Sequence, residues 1–340
     1  MGKLTIKDIA RLAGVSPTTV SLILNHKGER FSDETIKKVL KIVEETNYYP
    51  DFFAQNLVSK NNKTIGVIIP TLGDLFFDGL FEGIEKVASE RGYSVILFNS
   101  GNSKEKEDRG LDFMLSRSVS GIILATPHIL DHERFALIRK RCPILLMDRG
   151  ITPRLEGQIA VDELGGMAEA MDKLSALGHR RIAYIRENQS YYNLQSRFDG
   201  YRQGIQRHHL DDDPSLIITA DLSVEGGYEA TKKLLEAGQE FTALCCANDY
   251  IAVGAYRALL QAGKKIPDDI SVLGFDDIDI AAYITPALST VKQPIDELGM
   301  EAASALIKKI EHPETALENK TFSTHLKMRE SIAKVMKEVK

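Results

Sequence analysis

Four short runs of polar and aromatic residues follow directly on apolar stretches of this chain: residues 71–77, Asp148 with Arg149, Asn248 with Asp249, and Asp276 with Asp277. Carboxylates and amides there can exchange hydrogen bonds with a small ligand. If the apolar stretches are strands, these residues stand beyond the strands' carboxyl ends, where open α/β sheets hold their ligands. A second set, Pro17, Thr18, Ser21 and Leu22, falls on the outward face of a short helical pattern, free to meet the edges of bases. The machinery of covalent chemistry is missing. The chain has no Gly-x-Gly-x-x-Gly, Walker A, His-Glu-x-x-His or Gly-x-Ser-x-Gly run, and nothing assembles a nucleophile, a base and an orienting group. His208 and His209 beside Asp211 to Asp213 read as a charged turn in preference to a metal site. An enzyme is not expected, nor a metal or cofactor.

The elements that must present Pro17 and Thr18 are two short helices broken at Gly14. Residues 6–13 place Ile6, Ile9, Ala10 and Ala13 on one face, and Thr5 with Asp8 forms a variant of the capping box. Ser16 caps the second helix, Pro17 fits its first turn, and Val20, Ile23 and Leu24 turn inward. The pattern is that of a helix-turn-helix, whose second helix enters the major groove. A third helix, capped by Ser32, carries the inward stripe Ile36, Val39, Leu40 and Val43 and stops near Asn47. Residues 50–58 are compatible with a helix too short to persist alone, and read as a hinge that orders on binding; residues 59–63 are a polar linker.

From residue 64 apolar strand runs alternate with amphipathic helices. Strands are expected over 65–69, 94–98, 121–125 and 144–147, with helices over 77–90, 104–115 and 133–139. A second series follows, with helices over 164–177, 194–208, 226–236 and 251–262 and strands over 181–185, 216–218, 243–247 and 271–275. The tail adds a strand at 288–291, a helix at 295–310 and a strand near 322–327. Two such series imply two similar lobes with a cleft between them. The net charge of −5 is uneven: residues 1–63 hold ten Lys/Arg against seven Asp/Glu, and the rest 33 against 41. A basic head on an acidic body suits a nucleic-acid module joined to a larger soluble one. No apolar run is long enough for a membrane span, and no signal-peptide core is present. Cys142, Cys245 and Cys246 form no Cys-x-x-Cys pair and read as buried, reduced thiols. A cytoplasmic location is expected.

The order of these parts, and the segments TIKDIARLAGVSPTTVSLILN, NYYPDFFAQNLVS, KTIGVIIP, LGHRRIAYI, CANDYIAVGAYRAL, IPDDISVLGFDDID and TPALSTVKQPIDELG, resemble the LacI/GalR family of bacterial transcription regulators. The resemblance covers essentially the whole chain. It implies an all-α helix-turn-helix head plus an α/β, two-lobed, periplasmic-binding-protein-like body of doubly wound parallel sheets. The head would span residues 1–49, the hinge helix and linker 50–63, and the effector-binding and dimerisation body 64–340. Lobe 1 would take about 64–160 plus 292–322, and lobe 2 about 163–289 plus 323–330.

The resemblance also implies residue roles. Pro17, Thr18 and Leu22 would read the major groove, with Leu22 suited to a thymine methyl, since it cannot make an arginine's bidentate guanine contact. Thr5, Ser16, Thr19, Ser21 and Asn25 would meet phosphates. Leu57 would wedge into the minor groove, with Ala54 and Gln55 standing where Ala-Arg is usual. Effector contacts would come from Phe76 or Phe77, Asp148, Arg197, Asn248 and Asp276. Leu222 occupies a position usually aromatic, which favours a small sugar over a purine. Asn248 and Asp276 have an alternative role as caps of the helices that follow, with Asp277 a further candidate for that cap. The expected partners are a near-palindromic operator in double-stranded DNA, a sugar effector with ribose first, and a second copy in a homodimer. A sugar phosphate or a phosphocarrier protein as corepressor, and a sugar-binding receptor without DNA function, are the alternatives.

Overall fold

The computed structural model describes residues 4–24, 30–48, 62–125, 128, 132–147, 155–188 and 191–335. Asn25, Ala54, Gln55, Leu57 and Asp148 lie outside the described residues. The chain divides into two compact units, residues 1–62 and 63–340.

The first unit contains α1 (Ile6–Ala13), α2 (Pro17–Leu24) and α3 (Asp33–Glu45). Thr5 and Asp8 close a capping box on α1, and Gly14 ends it at a φ of 67°. The Ser16 hydroxyl accepts from the Thr19 amide at 3.1 Å, which caps α2. Ile9, Ala10, Ala13, Val20, Ile23 and Val39 form the core, and Tyr48 closes it. Leu40 is 46% exposed and does not join the inward stripe. Ile36, Ile42 and Val43 flank Val39 in its place, because residues three and four apart share a helix face while position 40 is rotated about 100° from position 39.

The second unit holds two layered lobes. Lobe 1 is built on a parallel sheet of order β2-β1-β3-β4, with β1 Thr64–Ile69, β2 Ser94–Asn99, β3 Gly121–Ala125 and β4 Ile144–Met147. Helices α4 (Leu75–Glu90), α5 (Lys104–Ser116) and α6 (His132–Arg139) connect them. Every residue of β1 is buried, as expected of a strand covered on both faces. Lobe 2 is built on six strands of order β12-β10-β9-β8-β6-β7. These are β6 (Ile182–Glu187), β7 (Ile217–Ala220), β8 (Ala243–Cys246), β9 (Ser271–Asp276), β10 (Ser289–Lys292) and β12 (His325–Lys327), the last antiparallel to β10. Helices α7 (Glu163–Ala176), α8 (Tyr192–Arg207), α9 (Val224–Glu236) and α10 (Asp249–Gln261) cover its faces, and a short α11 (Ile280–Tyr283) follows β9. The three cysteines are buried and unpaired. No described helix is long and apolar enough to cross a membrane.

The chain passes between the lobes three times. β5 (Ile159–Val161) leads into α7, β10 leads into α12 (Ile295–Glu311), and β11 (Lys320–Phe322) leads into β12. β5 and β11 pair in parallel as a separate two-stranded ribbon. The expected single strand at 322–327 is therefore two strands in different sheets, parted where the chain changes lobe. Helix α4 begins at Leu75, not residue 77, because Asp74 caps it through the Phe76 amide at 2.9 Å. This puts Phe76 and Phe77 in its first turn.

Helices α9 and α10 pack backbone to backbone at Gly227 and Gly254. A Cβ on Gly254 would overlap the Val224 carbonyl and stand 2.6 Å from the Tyr228 nitrogen. Gly254→Ala is expected to cost about 1–3 kcal/mol of stability, as overpacking does. A urea unfolding midpoint unchanged from the native chain would show that the two helices part freely.

Candidate functional site

Arg197 sits near the middle of α8 and is 4% exposed. Its Nε donates to Glu163 Oε2 at 2.6 Å and its Nη1 to the Ala247 carbonyl at 2.7 Å, while Nη2 lies 3.1 Å from Asp276 Oδ1. The guanidinium carbon stands 3.9 Å from the Phe275 ring centroid. Burial opposes the charge, but the two carboxylates more than restore it and hold Arg197 protonated. Burial raises Glu163 despite the pull of Arg197, and pushes Asp276 up to about 6 in the same way. One cation cannot neutralise two carboxylates, so the cluster keeps an acidic surplus.

The backbone at the end of β9 separates two neighbouring acids. Asp276 and Asp277 have φ of 115° and 62°, conformations that cost side-chain-bearing residues free energy and gather at functional sites. Asp276 accepts from Gln293 Nε2 at 2.6 Å and faces Arg197. Asp277 turns the other way, onto Arg329 at 2.5 Å and Lys327 at 3.0 Å. Asp277 therefore ties the C-terminal segment to lobe 2 and caps no helix. Asn248 accepts from the Ile251 amide at 3.0 Å, capping α10 as the alternative expected, and it also lines the cleft.

Phe76, Phe77, Arg197, Leu222, Asn248 and Asp276 meet around one cavity of about 300 Å³ between the lobes. Phe76 and Phe77 stand edge to face, with centroids 5.1 Å apart. Leu222, 39% exposed, offers an aliphatic wall. The structure adds Glu187, Asn193 and Asp221, which the sequence did not single out, and Asp74 of the run 71–77 lines the same cavity. Burial first, and the Asp276 charge second, push Asp74 up to about 6. Asn193 precedes Arg197 by one helical turn, so helical spacing was its one available signal. Glu163 left none, since its partner lies 34 residues away. A second cavity of about 290 Å³ shares the wall made by Phe76 and Asn193 and reaches Glu163 and Gln293. Two contacts clasp the rim: Tyr250 Oη accepts from the Leu75 amide at 2.9 Å, and Asn102 donates to Tyr191 Oη at 2.7 Å.

In the head, Pro17 and Thr18 are exposed and Ser21 and Leu22 partly so. The Thr5 hydroxyl donates to Asp8 at 2.7 Å, and the Ser16 and Thr19 hydroxyls are 2.9 Å apart. α2 thus presents a small, uncharged outer face.

A helix-turn-helix head joined to a body of two α/β lobes around a polar cleft defines the class of ligand-responsive bacterial regulators. Residues 5–51 match the model of bacterial regulatory proteins of the lacI family, and residues 171–332 that of the periplasmic binding protein-like domain. The ribose operon repressor of Haemophilus influenzae is 34% identical over 96% of this chain and 98% of its own length. The probable HTH-type transcriptional repressor ExuR of Bacillus subtilis is 33% identical over 97% and 99%. Among solved structures, a lac repressor dimer bound to operator and the anti-inducer ONPF superposes with a TM-score of 0.86 at 28% identity, covering 98% of this chain and all of that one. A LacI family regulator from Enterococcus faecium with bound ribose gives 0.73 at 32% identity, covering 80% and 99%. The chain belongs to the LacI family of bacterial regulatory proteins.

Removing the guanidinium should expose how much depends on it. Arg197→Ala is expected to cost about 3–5 kcal/mol, the usual result of breaking a buried ion pair. Glu163 and Asp276 already have raised values in the folded chain, and without the cation both rise further. A carboxyl raised on folding lowers stability as pH climbs from its unfolded to its folded value. The deficit in urea should therefore be larger at pH 7.5 than at pH 4.5, and an equal deficit at both would contradict the charge argument.

Proposed function

We propose that this chain is a homodimeric repressor that binds a near-palindromic operator in double-stranded DNA and leaves it when a small uncharged sugar, ribose first, fills the cleft. The observation that carries the reading is the chemistry of the cavity wall. Carboxylates from both lobes, amides and an aromatic pair surround a space the size of a monosaccharide. Among the described lining residues the cation is Arg197, and Glu163 and Asp276 already share it. Hydroxyl groups can donate to such a surface, whereas a phosphate or carboxylate meets repulsion. The ribose operon repressor and the ribose-bound regulator among the relatives support the same ligand class. The aliphatic Leu222 fits a small ring better than a flat base.

Phe76, Phe77, Asp148, Arg197, Leu222, Asn248 and Asp276 are the proposed effector contacts. Pro17, Thr18 and Leu22 would read bases, and Thr5, Ser16, Thr19, Ser21 and Asn25 would meet phosphates, which fix register without reading sequence. Ala54, Gln55 and Leu57 would occupy the minor groove at the operator centre. The effector must bind the closed, DNA-free form more tightly than the DNA-bound one, since only differential affinity shifts the equilibrium. Catalysis has no part in this reading.

Two measurements test it. D-ribose at a hundred times its dissociation constant should stabilise the chain by about 2.7 kcal/mol, read as a thermal shift, while ribose 5-phosphate should give none. A shift with the phosphate alone would overturn the neutral-sugar assignment. In gel-shift titrations, Leu22→Ala should weaken binding to the palindrome while leaving non-specific binding and the salt slope unaltered. Loss of both kinds of binding together would instead mark Leu22 as a packing residue.

A further inference from the structure

We propose that Asp249 and Thr290 are positioning residues for the effector: from behind the cleft they hold the backbone turn that aims Asp276 at Arg197 and at the ligand. The inference rests on the reading of this cavity as a sugar site and names what keeps one of its contacts in place.

Asp276 has a conformation that needs support. Its φ of 115°, with 62° at Asp277, is unfavourable for residues with a side chain, and such a conformation persists only where the surroundings over-determine it. On one side Gln293 grips Asp276 twice: its amide donates to the Asp276 carbonyl at 3.2 Å and its Nε2 to the carboxylate at 2.6 Å. On the other side the next two amides, of Asp277 and Ile278, need acceptors. The Ile278 amide donates to Asp249 Oδ2 at 3.0 Å. The Asp277 amide donates to the Thr290 hydroxyl at 3.4 Å, and that hydroxyl donates in turn to Asp249 Oδ1 at 2.6 Å. One carboxylate thus gathers both amides, one directly and one through Thr290. The ion pairs with Arg329 and Lys327 hold the Asp277 side chain, whereas this relay holds the backbone.

Asp249 and Thr290 are fully buried, and neither lines the cavity. Space for the carboxylate comes from Gly274, which faces Thr290 in the β9–β10 pair: a Cβ there would overlap Asp249 Oδ1. In so dry a place an unmet amide or hydroxyl costs its full desolvation, so the relay is kept whole. Without it, the turn can relax toward negative φ and the Asp276 carboxylate swings off Arg197. Asp249 stands between Asn248, which lines the cleft, and Tyr250, which clasps the rim, so Thr290 is the cleaner place to cut the relay.

Titration calorimetry of the full-length chain with D-ribose reads the effect. Thr290→Val keeps the shape of the side chain and removes its hydroxyl, and its affinity is expected to be on the order of tenfold weaker. Thr290→Ser keeps the hydroxyl and should bind as the native chain does. Asp249→Asn offers one acceptor oxygen to two donors and should weaken binding by a similar factor. The double variant with Thr290→Val should lose little more than either alone, because members of one hydrogen-bonded network do not add. Native affinity in Thr290→Val, an equal loss in Thr290→Ser, or additive losses in the double variant overturns the proposal. Ligand-free crystal structures separate its failure from that of the sugar reading. Asp276 should leave Arg197 in Thr290→Val and stay on it in Thr290→Ser, with Asp249→Asn taking the place of Thr290→Val if that variant does not fold. If D-ribose does not bind the native chain, the ribose assignment fails and the crystal structures decide the positioning role. Asp276 turned away from Arg197 upholds it, and Asp276 still on Arg197 overturns it whatever the titration shows.

Discussion

A single buried guanidinium, Arg197, joins segments of the body that lie far apart in the chain. It reaches Glu163 at the start of α7, where the chain has just crossed from lobe 1. It also reaches the Ala247 carbonyl beyond β8 and Asp276 at the end of β9, and it lies over the Phe275 ring. A charge in so dry a place needs partners on every side, and satisfying them fixes where two strand ends and one helix start stand. The strained backbone at Asp276 and Asp277 is a consequence. One acid must turn inward to the arginine while the next turns outward to Arg329 and Lys327.

This arrangement spends the cation of the cleft on the protein itself. What remains for a ligand among the described lining residues is a wall of hydrogen-bond acceptors, amides and the aromatic rings of Phe76, Phe77 and Tyr191. Such a wall suits hydroxyl groups and resists anions. It also makes the acidic surplus of the cleft a property of the fold, since Asp276, one of the two carboxylates that hold Arg197, lines the cavity as well. The lobes meet this surplus at a rim already held by Tyr250 and Asn102.

Local structure was largely legible from residue order. Caps at Thr5, Ser16 and Ser32, the apolar periods of the strands and the helix stop at Gly14 act over a few residues, so their chemistry can be read where it stands. Errors came where a neighbour in space overruled a neighbour in sequence. Leu40 has an apolar side chain at a plausible position, yet it stays 46% exposed while Ile42 packs against the core that α1 and α2 form. The continuous strand expected over 322–327 split, because Phe322 pairs with Val161 in one ribbon and His325 with Lys292 in another sheet. Asp277 looked like a cap, and its true partners lie about fifty residues further on.

The sequence by itself determined the kind of molecule: a helix-turn-helix head, two α/β lobes and a cleft at the carboxyl ends of their strands. It could do so because hydrophobic period, turn chemistry and capping are short-range. It also supplied Phe76, Arg197, Asn248 and Asp276 through motif matches, without showing how they act on one another. Only the tertiary structure decided that Glu163 and Asp276 divide Arg197 between them, and that Asp74 and Asp276 line one cavity. Those relations are electrostatic and depend on burial, and burial is set by residues up to two hundred positions away. An aspartate in the sequence is one letter among many. Buried beside Arg197, Asp276 becomes one half of an ion pair, with its carboxyl pushed up to about 6 by burial.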